Sequence, residues 1–318
     1  MYERVLVPLD GSSLAESALP HVVAFAKAFG SKCILVRVLE GPASEDEVHP
    51  VNPLDWRIKK AQATSYLEER AESLRGAELT AETVVLEGTP AARLCEYAQE
   101  EEIGLIIMSS HGQSGISRWN VSSVVQKTTQ RARTSILIVR AYQPKATSLT
   151  GLRYRKVVLA LDGSRRAEMA LSPVTTLVQS HGAALLLVHV VERPQLPLRK
   201  PLSEEDRKLV EGLVERKEKA AKLYLDELKS QLSVAFEART LVCDDVPASL
   251  HQLIRDEQAD LLVLTAHGHS GDTQRHYGSL TLSFIEYGAI PMLIVQDLAP
   301  EEIEPMEAEL AAKETKGH

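Results

Sequence analysis

The 318-residue sequence predicts two tandem doubly wound α/β domains, each with five parallel strands. Three observations carry this expectation. The chain repeats itself once. Each copy alternates short apolar runs with helical segments. Each copy also places a glycine-containing polar loop directly after its fourth apolar run.

The repeat is legible residue by residue. "RVLVPLDGSSLAESALP" (4–20) returns as "KVVLALDGSRRAEMALS" (156–172), and "CILVRVLE" (33–40) as "LLLVHVVE" (185–192). "GTPAARLCEYAQEEEIGLIIMSSHG" (88–112) returns as "DVPASLHQLIRDEQADLLVLTAHG" (245–268), and "TSILIVR" (134–140) as "IPMLIVQ" (290–296). Asp10 and Asp162 differ by 152 positions, Gly112 and Gly268 by 156, so the net insertion in the second copy follows its second strand. A period this long is that of a domain, not of a solenoid unit.

Within the first copy the strand candidates are Val5 to Leu9, Ile34 to Val38, Thr83 to Leu86, Leu105 to Met108 and Ile136 to Val139. They are continuous apolar runs, which suits a parallel sheet covered on both faces, with helices as crossovers. "DWRIKKAQATSYLEERAESLR" shows helical spacing at Ile58, Ala61, Leu67 and Leu74, and "EEDRKLVEGLVERKEKAAKLYLDELKSQL" is its longer partner. The resulting division is a first domain at 1–143, a linker at 144–152 within "YQPKATSLTGLR", a second domain at 153–297 and an acidic tail at 298–318. Each domain's last strand, Ser135 to Arg140 and Pro291 to Gln296, would be an exposed apolar edge alone. Pairing of the two domains through these strands is therefore expected, with a homodimer of chains as a further assembly.

Composition narrows the function. A net charge of -8 argues against a general nucleic-acid binder. No apolar run has the length of a membrane span, and the N-terminus lacks a signal-peptide pattern. Cys33, Cys95 and Cys243 are far apart and read as reduced, mostly buried thiols. A cytoplasmic protein is expected.

In an open parallel sheet, ligands bind outside the carboxyl ends of the strands where strand order reverses. Here "PLDGS" and "ALDGS" end the first strand of each copy, and the glycine loop ends the fourth. Gly112 and Gly268 allow close backbone approach to a ligand, and Ser122-Ser123 and Gly278-Ser279 open a helix whose N–H groups favour an anion. Asp10 and Asp162 face this loop; each suits a ribose hydroxyl, an adenine amine or the cap of the next helix. His267, His269 and His276 crowd the second loop, but the first keeps only His111 and the spacing matches no standard metal set, so no metal is assigned. Trp119 reads as loop packing, and Arg118 as either solvated charge or a screen for phosphate.

These residues resemble the universal stress protein family in tandem form. Its nucleotide motif is Gly-x-x-Gly, nine residues, then Gly followed by Ser or Thr. The second copy reads Thr265-Ala-His-Gly268, nine residues, Gly278-Ser279; the first reads Ser109-Ser-His-Gly112, nine residues, Ser122-Ser123. The resemblance implies a sheet order of 3-2-1-4-5, an adenine-nucleotide α-hydrolase-like fold and ATP binding, with or without Mg²⁺. It implies Asp10 and Asp162, with Pro8 and Ala160 on the same strands, at the adenosine end. Val38 and Val190 would offer backbone groups to adenine, and Ser109, Gly112, Ser122, Ser123, Thr265, Gly268, Gly278 and Ser279 would hold phosphates.

The copies depart from the motif differently. Ser122 adds a Cβ where the family has glycine, which favours the second copy for phosphate contact. Asp272 and Asp244-Asp245 make the second crevice more acidic, a penalty that Mg²⁺ or Arg275 would offset. The alternative to a stress-response nucleotide binder is an interaction module of the same fold that takes no nucleotide. The resemblance also allows slow ATP hydrolysis or autophosphorylation, but no Ser-Gly-Gly-x-Asp loop or clear base–nucleophile pair appears, so no catalytic residue is assigned.

Overall fold

The computed structural model describes residues 1–40, 53–113, 121–141, 148–194, 203–268 and 277–298. Residues 142–147, which include the start of the expected linker, and the tail from 299 onward lie outside the described residues.

The first half runs β1 (Arg4–Pro8), α1 (Ser13–Glu16), α2 (Leu19–Phe29), β2 (Lys32–Leu39), α3 (Pro53–Gly76), β3 (Ala81–Glu87), α4 (Pro90–Glu100), β4 (Leu105–Ser109), α5 (Ser123–Thr129) and β5 (Ser135–Val139). The second half repeats it as β6 (Lys156–Leu161), α6 (Arg165–Glu168), α7 (Leu171–His181), β7 (Ala184–Glu192), α8 (Glu204–Gln231), β8 (Glu237–Cys243), α9 (Val246–Asp256), β9 (Leu261–Thr265), α10 (Ser279–Tyr287) and β10 (Met292–Val295).

The strand order is β3-β2-β1-β4-β5-β10-β9-β6-β7-β8. Each half is therefore parallel in the order 3-2-1-4-5. The two sheets are continuous: β5 and β10 pair antiparallel, with Met292 opposite Ile138 and Ile294 opposite Ile136. β1 lies between β2 and β4, so the strand order reverses there, and β6 does the same between β7 and β9.

Side chains alternate across the sheet, so each strand feeds two cores. Val5, Val7, Leu35, Ile107 and Leu137 join the core under α2 and α7, whereas Leu6, Ile34, Val36, Ile106 and Ile138 join the one under α4 and α9. Both cores run through both halves. On the first face Phe25 of α2 packs edge-on against Tyr154, and the Tyr154 hydroxyl lies 2.6 Å from Nδ1 of His21. Burial pushes the His21 pKa down to about 4.

The segment with helical spacing is a helix, α3, and burial adds detail to it and to the thiols. The buried stripe of α3 is Ala63, Leu67, Ala71 and Leu74; Ile58 and Ala61 are exposed, because the fully buried contacts of this helix begin only at its third turn. Of the three cysteines, which form no disulfide, only Cys33 is fully buried. Among the described residues no helix is long and apolar enough to cross a membrane.

Candidate functional site

The turn after β1 is built by three residues in sequence. Asp10 Oδ1 accepts the Ser12 N–H at 2.9 Å, Gly11 takes a positive φ of 89° that closes the turn, and Ser12 Oγ accepts the Ala15 N–H to cap α1. Asp162, Gly163 (φ 79°) and Ser164 repeat this after β6. The serine, not the aspartate, therefore caps the helix in both halves.

The aspartate does a second job. Asp10 Oδ2 accepts the Gln113 N–H at 2.8 Å, and the Gln113 side-chain amide returns a bond to the Asp10 carbonyl at 2.7 Å. A Cβ built on Gly112 would fall well inside 3.0 Å of Asp10 Oδ2, and one on Gly268 would do the same with Asp162 Oδ2. The expected role of these glycines in approaching a ligand is thus preceded by a packing role: a carboxylate from the first strand's turn seats directly against the fourth strand's loop.

The far end of each loop is tied back to its strand. Ser122 N–H donates to the Ser110 carbonyl at 2.9 Å, and Gly278 N–H to the Ala266 carbonyl at 2.8 Å. Ser122 (φ -62°, ψ 155°) and Gly278 (φ -66°, ψ 159°) share one conformation at the N-cap of α5 and α10. Ser122 Oγ accepts the Val125 N–H; Gly278 has no side chain to do so. Among the described residues, a Cβ on Gly278 would meet only the Ala266 carbonyl, at 3.8 Å, an ordinary contact. The small hydroxyls at the motif's start brace the loop: Ser109 Oγ lies 3.4 Å from the His111 amide, and Thr265 Oγ1 donates to the His267 carbonyl at 2.7 Å.

In the first half these parts enclose a cavity of about 530 Å³ at the strand-order reversal. Pro8, Asp10, Val38, Ser109, Gly112, Ser122 and Ser123 all line it. So do Arg37, Trp56, Lys59, Met108 and Gln113, which motif reasoning did not single out, and His111 of the first loop. Arg37 had a visible signal, since it interrupts an apolar strand. Its guanidinium sits 5.5 Å from the Tyr66 ring centroid and beside Gly11, and the Tyr66 hydroxyl donates to Glu16 at 2.9 Å. Burial, then this bond to Glu16, pushes the Tyr66 pKa up. A second depression of about 750 Å³ runs along α3 past Arg57, Thr64 and Glu72, and among the described residues this one helix supplies its lining.

In the second half Ala160, Val190 and Thr265 lie in the carboxyl-terminal halves of β6, β7 and β9, and Asp162, Gly268, Gly278 and Ser279 follow at the strand ends and the start of α10. His189 replaces Arg37, and burial lowers its pKa. Two of the three acidic residues expected to repel phosphate have partners within the chain: Asp245 caps α9 by accepting the Ala248 N–H at 2.8 Å, and Asp244 is an exposed partner of Arg193. The loop histidines also differ. His111 Nδ1 lies 3.0 Å from Ser110 Oγ, whereas His267 Nδ1 lies 3.0 Å from the buried carboxylate of Asp297, with Arg166 at 3.8 Å on its other oxygen. Arg118, Trp119, His269, Asp272, Arg275 and His276 lie outside the described residues.

A doubly wound sheet and an Asp-Gly turn braced against a glycine loop, each present twice, with a crevice at the strand-order reversal of the first half, define a tandem α/β protein. The sequence profile of the universal stress protein family matches residues 1–140 and 153–296, and the chain belongs to that family. Universal stress protein YxiE of Bacillus subtilis is 29% identical over 150 residues, covering 44% of this chain and 100% of that protein. A universal stress protein from Archaeoglobus fulgidus has a TM-score of 0.66 at 17% identity, covering 94% of this chain and 100% of that one. Also similar is a universal stress protein solved in complex with cAMP, 24% identical over 44% of this chain and 98% of that one, with a TM-score of 0.35.

Proposed function

We propose that this chain is a cytoplasmic stress-response regulator that binds adenine nucleotide, as ATP with Mg²⁺, in the crevice of its first half. The observation that carries the proposal is the cavity of about 530 Å³ around which all seven first-half motif residues converge. Its size is that of a small-molecule site, on the order of 300–1,000 Å³. Val38 offers strand-end backbone to a base. Ser122 and Ser123 bring the first turn of α5 to the same space, and Arg37 and Lys59 add cationic charge that would offset a phosphate chain.

This reading moves the favoured site from the second half to the first. Ser122 adopts the backbone conformation of Gly278. Its Cβ leaves the turn undisturbed. The second half, with Asp162, Val190, Gly268, Gly278 and Ser279, is proposed as a weaker site of the same kind.

One observation favours the alternative, an interaction module without nucleotide. Both oxygens of Asp10 already accept backbone N–H groups, and the Ser122 hydroxyl oxygen already accepts the Val125 N–H. The loop is thus braced before any ligand arrives. Denaturing the freshly purified protein and analysing the supernatant for released nucleotide separates the readings. Released adenine nucleotide supports the proposal; none released, together with no binding of added MgATP, supports the alternative.

A further inference from the structure

We propose that the amino-terminal part of α8 is a self-association surface that pairs antiparallel with the same helix of a second copy of this chain. α8 has 28 residues and is about 42 Å long at the usual helical rise. Its fully buried residues, Ala221, Leu225 and Leu228, all fall towards its carboxyl end. Upstream of them Leu209 and Leu213 are 60% and 41% exposed, one turn apart on the same face. Together the two leucines form a contiguous apolar patch on a solvent face, rather than a single exposed apolar side chain.

The charges beside them identify the occupant. Three and four residues before Leu209 stand Asp206 and Glu205; three and four after Leu213 stand Arg216 and Lys217. The face therefore reads acidic, leucine, leucine, basic. Laid antiparallel on a second copy, it sets Leu209 against Leu213 of the other chain, Asp206 opposite Arg216 and Glu205 opposite Lys217. A two-fold axis generates every one of these contacts twice, as an isologous interface requires. A parallel pairing would oppose like charges. Among the described residues Glu205, Arg216 and Lys217 take part in no ion pair within the chain, so their charges are available to a partner. At Gly212 an added Cβ would meet no atom within 4 Å, which leaves room for close helix approach.

The test is sedimentation of the full chain over a roughly hundredfold concentration range, at low and high salt, because association follows mass action and exposed charge pairs are screened. Wild type should dimerise reversibly, more weakly at high salt. Leu213→Lys should weaken the dimer by at least about tenfold, equivalent to losing the leucine contact twice. Glu205→Lys alone and Lys217→Glu alone should each weaken it, while an equimolar mixture of these two variants should form a heterodimer. Circular dichroism of each variant establishes that it is folded. A wild-type chain that stays monomeric at low salt, a dimer indifferent to Leu213→Lys, or a charge-variant mixture that fails to associate would overturn the proposal.

Discussion

Asp10 and Gly112 occupy one another's space: the aspartate's carboxylate sits where a side chain at position 112 would begin. Asp162 and Gly268 stand in the same relation in the other half. The aspartate is held from two sides by the Ser12 and Gln113 amides, so it cannot easily swing away. Gly112→Ala should therefore destabilise the protein by about 1–3 kcal/mol, the usual cost of overpacking. The urea midpoint reads it. In a double-mutant cycle Asp10→Ala should relieve much of this cost, giving a sum well short of additive. Additive effects would mean that the two residues do not compete for space.

Arg140, at the end of β5, is buried and donates to the carbonyls of Phe284 and Ile285 at the last turn of α10. A cation there satisfies terminal carbonyls and complements the helix dipole. The same helix starts at Gly278-Ser279, so a first-half residue holds the second half's loop helix. Arg140→Ala should cost on the order of 2 kcal/mol in chemical denaturation. Arg140→Lys should recover only part of it, because an ammonium lacks the planar fork that reaches two carbonyls.

His21 makes stability depend on pH. Its folded pKa is near 4 and its unfolded value near 6.5, because burial beside Tyr154 penalises the charged ring. Between those values the unfolded chain binds the extra proton. Stability should therefore fall as pH drops from about 6.5 towards 4, by on the order of 3 kcal/mol from this residue, and change no further from it below that. Urea midpoints measured across the window for wild type and His21→Phe test this; an equal slope in both would place the dependence elsewhere.

The two loop histidines invite an exchange. Ser110 and Ala141 in the first half stand at the positions of Ala266 and Asp297 in the second. Asp297→Ala should destabilise by about 1–3 kcal/mol, since it strips a buried imidazole of its acceptor. Adding Ala266→Ser should restore part of that loss by supplying the hydroxyl that His111 uses. Thermal unfolding of the single and double variants decides it; no recovery would show that Arg166 or the carboxylate's charge dominates.

The fold is legible in the sequence because the repeat establishes which runs correspond, and apolar runs without alternation mark strands covered on both faces. The crevice is legible because Asp-Gly-Ser and the glycine loop stand at strand ends that the sheet order brings together. The close fit at the crevice escapes sequence reasoning because it is long-range. The clash between Asp10 and Gly112 joins residues 102 positions apart and depends on β1 lying beside β4. The helix α3 is legible from its spacing, but its sequence does not say that Ile58 stays exposed while the buried stripe begins at Ala63. Asp244 and Asp245 read as free crevice charges in sequence because helix capping and pairing with Arg193 are decided by local geometry.

The central claim is that adenine nucleotide occupies the first-half crevice, and photolabelling with azido-ATP followed by peptide mapping tests it most directly. The account predicts label on peptides holding Arg37 and Val38 or Met108 to Gln113, removed by competing MgATP. Label confined to other surfaces, or label that MgATP does not displace, would contradict it.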